Sequence, residues 1–164
     1  MRIGMTWLLV AAAIGCGSAA RADYEGRRVG NWLTSANEDR FGDGGAFVAA
    51  TPDGSTALAV RCLQKKLSIG LIDMGSDPKP FSEADLFALK FRVDKQPVVE
   101  TAGVAISARL IEVVTEKSLV KALRDGRETA VRIFQKSGVT SSFVFKTAGA
   151  PKAFADLAKE CPLD

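Results

Sequence analysis

Apolar and polar positions alternate most cleanly over Phe87-Ala88-Leu89-Lys90-Phe91-Arg92-Val93. Phe87, Leu89, Phe91 and Val93 share one face, and Lys90 and Arg92 share the other. A period of two with a charged reverse side predicts a half-buried β-strand. Shorter runs predict further strands at Asn31–Thr34 and Phe47–Thr51, followed by a tight turn at Pro52-Asp53-Gly54. Thr56–Leu63 and Leu67–Met74, joined through Gln64-Lys65-Lys66, read as a hairpin. After the turn Asp94-Lys95-Gln96-Pro97, Val98-Val99 is a candidate return strand. Val104–Val114 is another, with Val104, Ile106, Ala108 and Leu110 on one face. Thr129–Gln135 and Ser141–Lys146 pair across the turn Lys136-Ser137-Gly138. Three stretches read as irregular: a polar lead-in over Asp23–Gly30, a Gly- and Asp-rich loop over Glu38–Gly45, and a break at Asp77-Pro78-Lys79-Pro80.

Two segments follow the helical period instead. Thr115 is placed to cap a helix over Glu116–Asp125, with Gly126 as a left-handed stop. The terminal helix opens with Pro151 at its first position and ends near Cys161. Its buried stripe is Phe154, Leu157, Ala158 and Cys161. Eight or nine short strands, mostly joined by tight turns, favour antiparallel pairing. The expected fold class is mainly β (α+β): an antiparallel β-sandwich or barrel-like sheet with two short helices, one of them C-terminal, and one disulfide.

The amino terminus breaks this pattern. Met1-Arg2 precedes an uncharged stretch, Trp7–Ala20, and then the small-x-small triplet Ala20-Arg21-Ala22. The stretch falls short of the roughly 18–20 apolar residues that span a bilayer, and the whole reads as a cleavable export signal. Residues 1–22 are therefore assigned to a signal peptide cut after Ala22, and residues 23–164 to a single β-rich domain. Cys16, after Ile14-Gly15, offers the rival reading of a lipid-attachment cysteine, but Ala13 stands where that pattern has a larger aliphatic residue. The expected location is periplasmic or secreted.

Composition narrows the chemistry. The chain of 164 residues contains no histidine, which removes Ser-His-Asp and Cys-His nucleophile pairs and every His-ligated metal site. Loss of Arg2 and Arg21 with the leader leaves a nearly neutral domain, a poor match for nucleic acid. No later segment is long and apolar enough to span a membrane. Cys62 and Cys161 remain after cleavage, 99 residues apart. In an oxidising compartment such a pair is expected to bond.

Ser118-Leu119-Val120-Lys121 fits S-x-x-K, which on a helix sets an amine beside a hydroxyl. The companion triplet is interrupted in Lys146-Thr147-Ala148-Gly149, so a solvated helix face is the expectation. Asp39 and Asp43 lie among glycines without the regular oxygen ligands of a calcium loop. Neither a metal nor a cofactor is expected. Lys90 and Arg92, with Arg61, Lys65 and Lys66 from the hairpin, form a candidate patch for an anionic partner such as a polysaccharide, a lipid headgroup or an acidic protein.

Several features resemble small bacterial periplasmic proteins associated with type VI secretion. They are Trp32 with Ser35, the acidic Asp39, the strand end Val60-Arg61-Cys62, and the apolar strand Leu67–Ile72. Arg92-Val93-Asp94 with Pro97, and the amphipathic Phe154–Cys161 ending in cysteine, complete the pattern. The resemblance implies an accessory envelope protein without catalytic residues. The functional expectation is an exported non-catalytic envelope or periplasmic accessory or binding domain. Its partner would be an envelope protein or an anionic surface component. The alternatives are a small hydrolase using carboxylates or Ser118 and Lys121, or an inhibitor or chaperone-like partner of another exported protein.

Overall fold

Alternating strands and two-residue turns dominate the computed structural model, which describes residues 26–38, 44–75, 77 and 80–163. The leader assigned to 1–22, Cys16 within it, and Asp39 and Asp43 of the glycine-rich loop lie outside the described residues. The strands are β1 Arg27–Val29, β2 Trp32–Asn37, β3 Ala46–Asp53, β4 Thr56–Leu63, β5 Lys66–Asp73, β6 Leu86–Val93, β7 Val99–Ser107, β8 Leu110–Val113, β9 Glu128–Gln135 and β10 Thr140–Lys146. The helices are α1 Lys117–Asp125, α2 Ala150–Ala153 and α3 Ala155–Glu160.

All pairings are antiparallel, in one sheet of order β1-β2-β3-β4-β5-β8-β7-β6-β9-β10. The meander β6-β7-β8 is thus inserted in reverse, so that β8 meets β5 and β6 meets β9. The sheet curls until β10 approaches β3, but it does not close into a barrel. Side chains bridge the seam instead. Asp53 Oδ2 accepts from the Val144 amide at 3.0 Å, and the Thr51 hydroxyl donates to the Lys146 carbonyl at 3.0 Å.

The core fills the curl. Leu58, Val60, Ile69, Leu71, Ile111 and Phe91 are almost fully buried on inward-facing strand positions. Trp32 is fully buried, donates its indole N–H to the Thr147 carbonyl at 3.0 Å and meets the Phe154 ring edge-on at 4.9 Å. The helices cover one end, α2 against β1 and β2, α3 against β3 and β4, and α1 against α2. The disulfide Cys62–Cys161, with Cα atoms 6.0 Å apart, ties the end of α3 to β4.

The mainly antiparallel class and the disulfide match expectation, and five local readings need correction. Residues 27–29 of the polar lead-in form β1, because Val29 turns into the core while Arg27 and Arg28 stay in solvent. Val104–Val114 is not one strand: the chain reverses at Ala108-Arg109, so Val98-Val99 opens into β7 and Leu110 starts β8, with a bulge between Ala105 and Ser107. Thr115 does not cap α1. Its hydroxyl donates to the Val113 carbonyl at 2.7 Å and accepts from the Ile69 amide at 2.9 Å, joining β8 to β5. Gly126 is extended (φ −81°, ψ 165°), not left-handed. A side chain there would strike Val93 Cγ1 at 2.3 Å, so close approach is what calls for glycine. The terminal helix is two helices, because Phe154 leaves the helical conformation (φ −89°, ψ 1°) as its ring meets Trp32.

Candidate functional site

The five cations expected to form one patch are distributed over two regions. Arg61 lies on the outer face of β4, yet it is buried. Its side chain runs over Gly70 of β5 and reaches Glu112 Oε2 on β8 at 2.7 Å. The guanidinium Nε is buried without a hydrogen-bond partner. Arg61 therefore braces the sheet and presents no free charge to a partner. Lys65 and Lys66 are exposed at the β4–β5 turn, where Gln64 and Lys65 adopt positive φ (50° and 63°) as a tight two-residue hairpin turn demands.

Lys90 and Arg92 lie on the outer face of β6, with β8 and β7 between that strand and β5. The register brings other residues to them. Lys90 pairs with Arg132 of β9, which pairs with Ser142 of β10. Arg92 pairs with Ala130, which pairs with Val144. A depression of about 390 Å³ opens here, lined by Lys90, Arg92, Arg132, Ser142, Val98 and Val144 among others. Lys90 Nζ is held by Glu100 at 2.6 Å and stands 5.8 Å from the centre of the Phe134 ring. Arg132 Nε donates to Ser142 Oγ at 3.2 Å. Arg132 was recognisable as outward-facing from the inward Val131 and Ile133 beside it, but its place next to Lys90 depends on a pairing between strands distant in sequence.

A second cavity, of about 180 Å³, lies at the end of the curl away from the helices. Thr56, Leu71, Phe81, Ile133 and Phe143 line it, together with Asp73, whose buried carboxylate is paired with Arg109.

The S-x-x-K segment lies on α1 with Ser118 and Lys121 both exposed. The Ser118 hydroxyl donates to Glu116 Oε2 at 3.3 Å. Lys146 is paired with Glu128, and Thr147 is buried with its carbonyl on Trp32. Asp94, the acid of the Arg-x-Asp segment, sits at a turn with φ 48° and accepts from the Arg127 and Glu128 amides at 3.0–3.2 Å. Its visible work is to hold the start of β9.

Shifted ionisations mark helix-surface ion pairs. The hydrogen bond from Lys159, and then its charge, holds the Asp156 carboxyl below the usual range, and Asp156 raises Lys159 in return. The Arg124 hydrogen bond similarly lowers Asp125. Among the described residues no group of three or more Cys, Asp or Glu side chains is arranged to hold a metal ion, and no helix is long and apolar enough to cross a membrane.

No protein-family model matches the chain, and no curated protein does. Among solved structures, invasion associated protein B from Bartonella henselae is similar in fold, with a TM-score of 0.57 and 16% sequence identity over 82% of this chain and 96% of that one.

Proposed function

We propose that this chain is an exported, non-catalytic binding domain that works in the bacterial envelope or outside the cell, after cleavage behind Ala22. The observation that carries the reading is the buried bond between Cys62 in β4 and Cys161 after α3. A bond that ties the last helix to the central sheet belongs to an oxidising compartment. The charged start, short apolar stretch and Ala20-Arg21-Ala22 site supply the route there. The Bartonella protein that shares the fold is described as invasion associated, which agrees with a role beyond the cytoplasm. The partner in this reading is an envelope protein or an anionic surface component.

Crosslinking in the intact envelope, followed by identification of the joined molecule, tests the reading. A specific envelope or surface partner supports it. Hydrolytic activity of the purified protein that Ser118→Ala or Lys121→Ala abolishes, with the fold intact, would replace it with the hydrolase alternative.

A further inference from the structure

The outer face of β6, β9 and β10 holds more positive charge than the protein itself neutralises. Lys90 has Glu100 as its counter-ion. Arg92 and Arg132 have no carboxylate partner among the described residues. They sit diagonally across adjacent strands, a spacing of roughly 7–8 Å that lets two long side chains converge on one group. Ala130 lies directly opposite Arg92, and its short side chain leaves room between the two arginines.

The lining narrows the ligand. Paired guanidiniums present planar forks that match the oxygens of a phosphate. Ser142 Oγ accepts from Arg132 and keeps its own proton to donate. Val98 and Val144, 49% and 45% exposed, give the depression an apolar rim beside the charges. The neighbouring sheet edge is less open to an added strand. The Val144 amide and the Lys146 carbonyl of β10 already serve Asp53 and Thr51. What the protein offers is therefore a concave face and not a strand edge.

We propose that this depression binds the phosphate group of a net-anionic amphiphile, one whose headgroup carries no ammonium of its own to neutralise the phosphate. Arg92 and Arg132 hold the phosphate oxygens, the Ser142 hydroxyl donates to one of them, and Val98 and Val144 rest against the aliphatic portion. The inference rests on the envelope reading, which brings the domain to phosphate-bearing lipid.

Cosedimentation of the purified, oxidised protein with lipid vesicles tests it. The protein should pellet with vesicles of mixed phosphatidylglycerol and phosphatidylcholine, and not with phosphatidylcholine alone. Arg92→Gln with Arg132→Gln should weaken binding at least tenfold. Ala130→Glu, which puts a carboxylate into the depression and keeps both arginines, should do the same. Lys65→Gln with Lys66→Gln removes equal charge from the distant hairpin and should stay within twofold of the parent. Equal loss in the hairpin variant, equal binding to phosphatidylcholine, or no vesicle binding would overturn the proposal. Inorganic phosphate bound as tightly as the vesicles would assign free phosphate and overturn the amphiphile. Polyglutamate bound more tightly than either would assign an acidic protein partner. Export is read separately in cells, so failure here leaves the envelope reading standing.

Discussion

The Arg61 guanidinium crosses the backbone of Gly70 to meet Glu112 Oε2 at 2.7 Å, linking β4 to β8 over the strand between them. A side chain larger than a methyl group at this position of β5 would obstruct that path. A Cβ at Gly70 would stand 3.0 Å from Leu110 Cδ1 and 3.5 Å from Arg61 Nε. Gly70→Val is expected to lower stability by about 1–3 kcal/mol through overpacking. Glu112→Gln strands a buried charge whose partner is only half-buried, so its cost should fall between surface and interior pairs, about 1–3 kcal/mol. Urea denaturation measures both. Variants as stable as the parent would show that the brace carries no energy.

Trp32 joins the first full strand to the segment after β10, through its hydrogen bond to the Thr147 carbonyl and its contact with Phe154. Trp32→Phe removes one buried hydrogen bond and is expected to cost about 1–3 kcal/mol. Trp32→Ala adds a cavity and should cost about 3–5 kcal/mol. The other tryptophan, Trp7, lies within residues 1–22. If the chain is cut behind Ala22 as proposed, Trp32 is the single indole, and its emission should be blue-shifted and should move to the red on unfolding.

Asp53 protects β10 by accepting from the Val144 amide across the seam. Asp53→Ala is expected to accelerate hydrogen exchange at Val144 and to cost about 1 kcal/mol. It also frees part of a strand edge, which favours association with other chains. A rise in apparent mass with concentration, read by sedimentation, is the expected sign.

The disulfide closes a loop of about 100 residues, for which the chain-entropy model gives up to roughly 4.7 kcal/mol. Cys62→Ser is expected to cost about 2–5 kcal/mol, the usual loss for a native bond in an exported domain. Thermal melts with and without reductant should separate for the parent and coincide for the variant.

Much of this architecture was legible because period two is a strong signal wherever one face is buried. Phe87–Val93 and Thr129–Gln135 show it plainly, whereas Thr56–Leu63, buried at every position but Leu63, was legible as an apolar run whose spacing from Leu67–Met74 marks a hairpin. Val104–Val114 misled because its two-residue reversal, Ala108-Arg109, has no glycine or proline to mark it. Phe154 fits the helical stripe in sequence, and its departure from helical geometry, where its ring meets Trp32 edge-on, carries no local sequence signal. The cationic patch was legible as outward-facing residues but not as a cluster. Strand order, not spacing, separates Lys65 and Lys66 from Lys90 and Arg92 and brings in Arg132. The resemblance to type VI-associated periplasmic proteins rests largely on Trp32, Arg61, Cys62, Asp94 and Cys161. Here those residues fill the core, brace the sheet, close the chain or hold a turn. Residues occupied in that way specify a fold more readily than a partner.

Export to an oxidising compartment is the central claim, and the intact mass of protein isolated from cells under alkylating, non-reducing conditions tests it most directly. Exported, oxidised protein should give one species covering residues 23–164, two hydrogens lighter than the reduced chain and carrying no alkyl group. A species that retains residues 1–22 and carries alkyl groups on both Cys62 and Cys161 would contradict it.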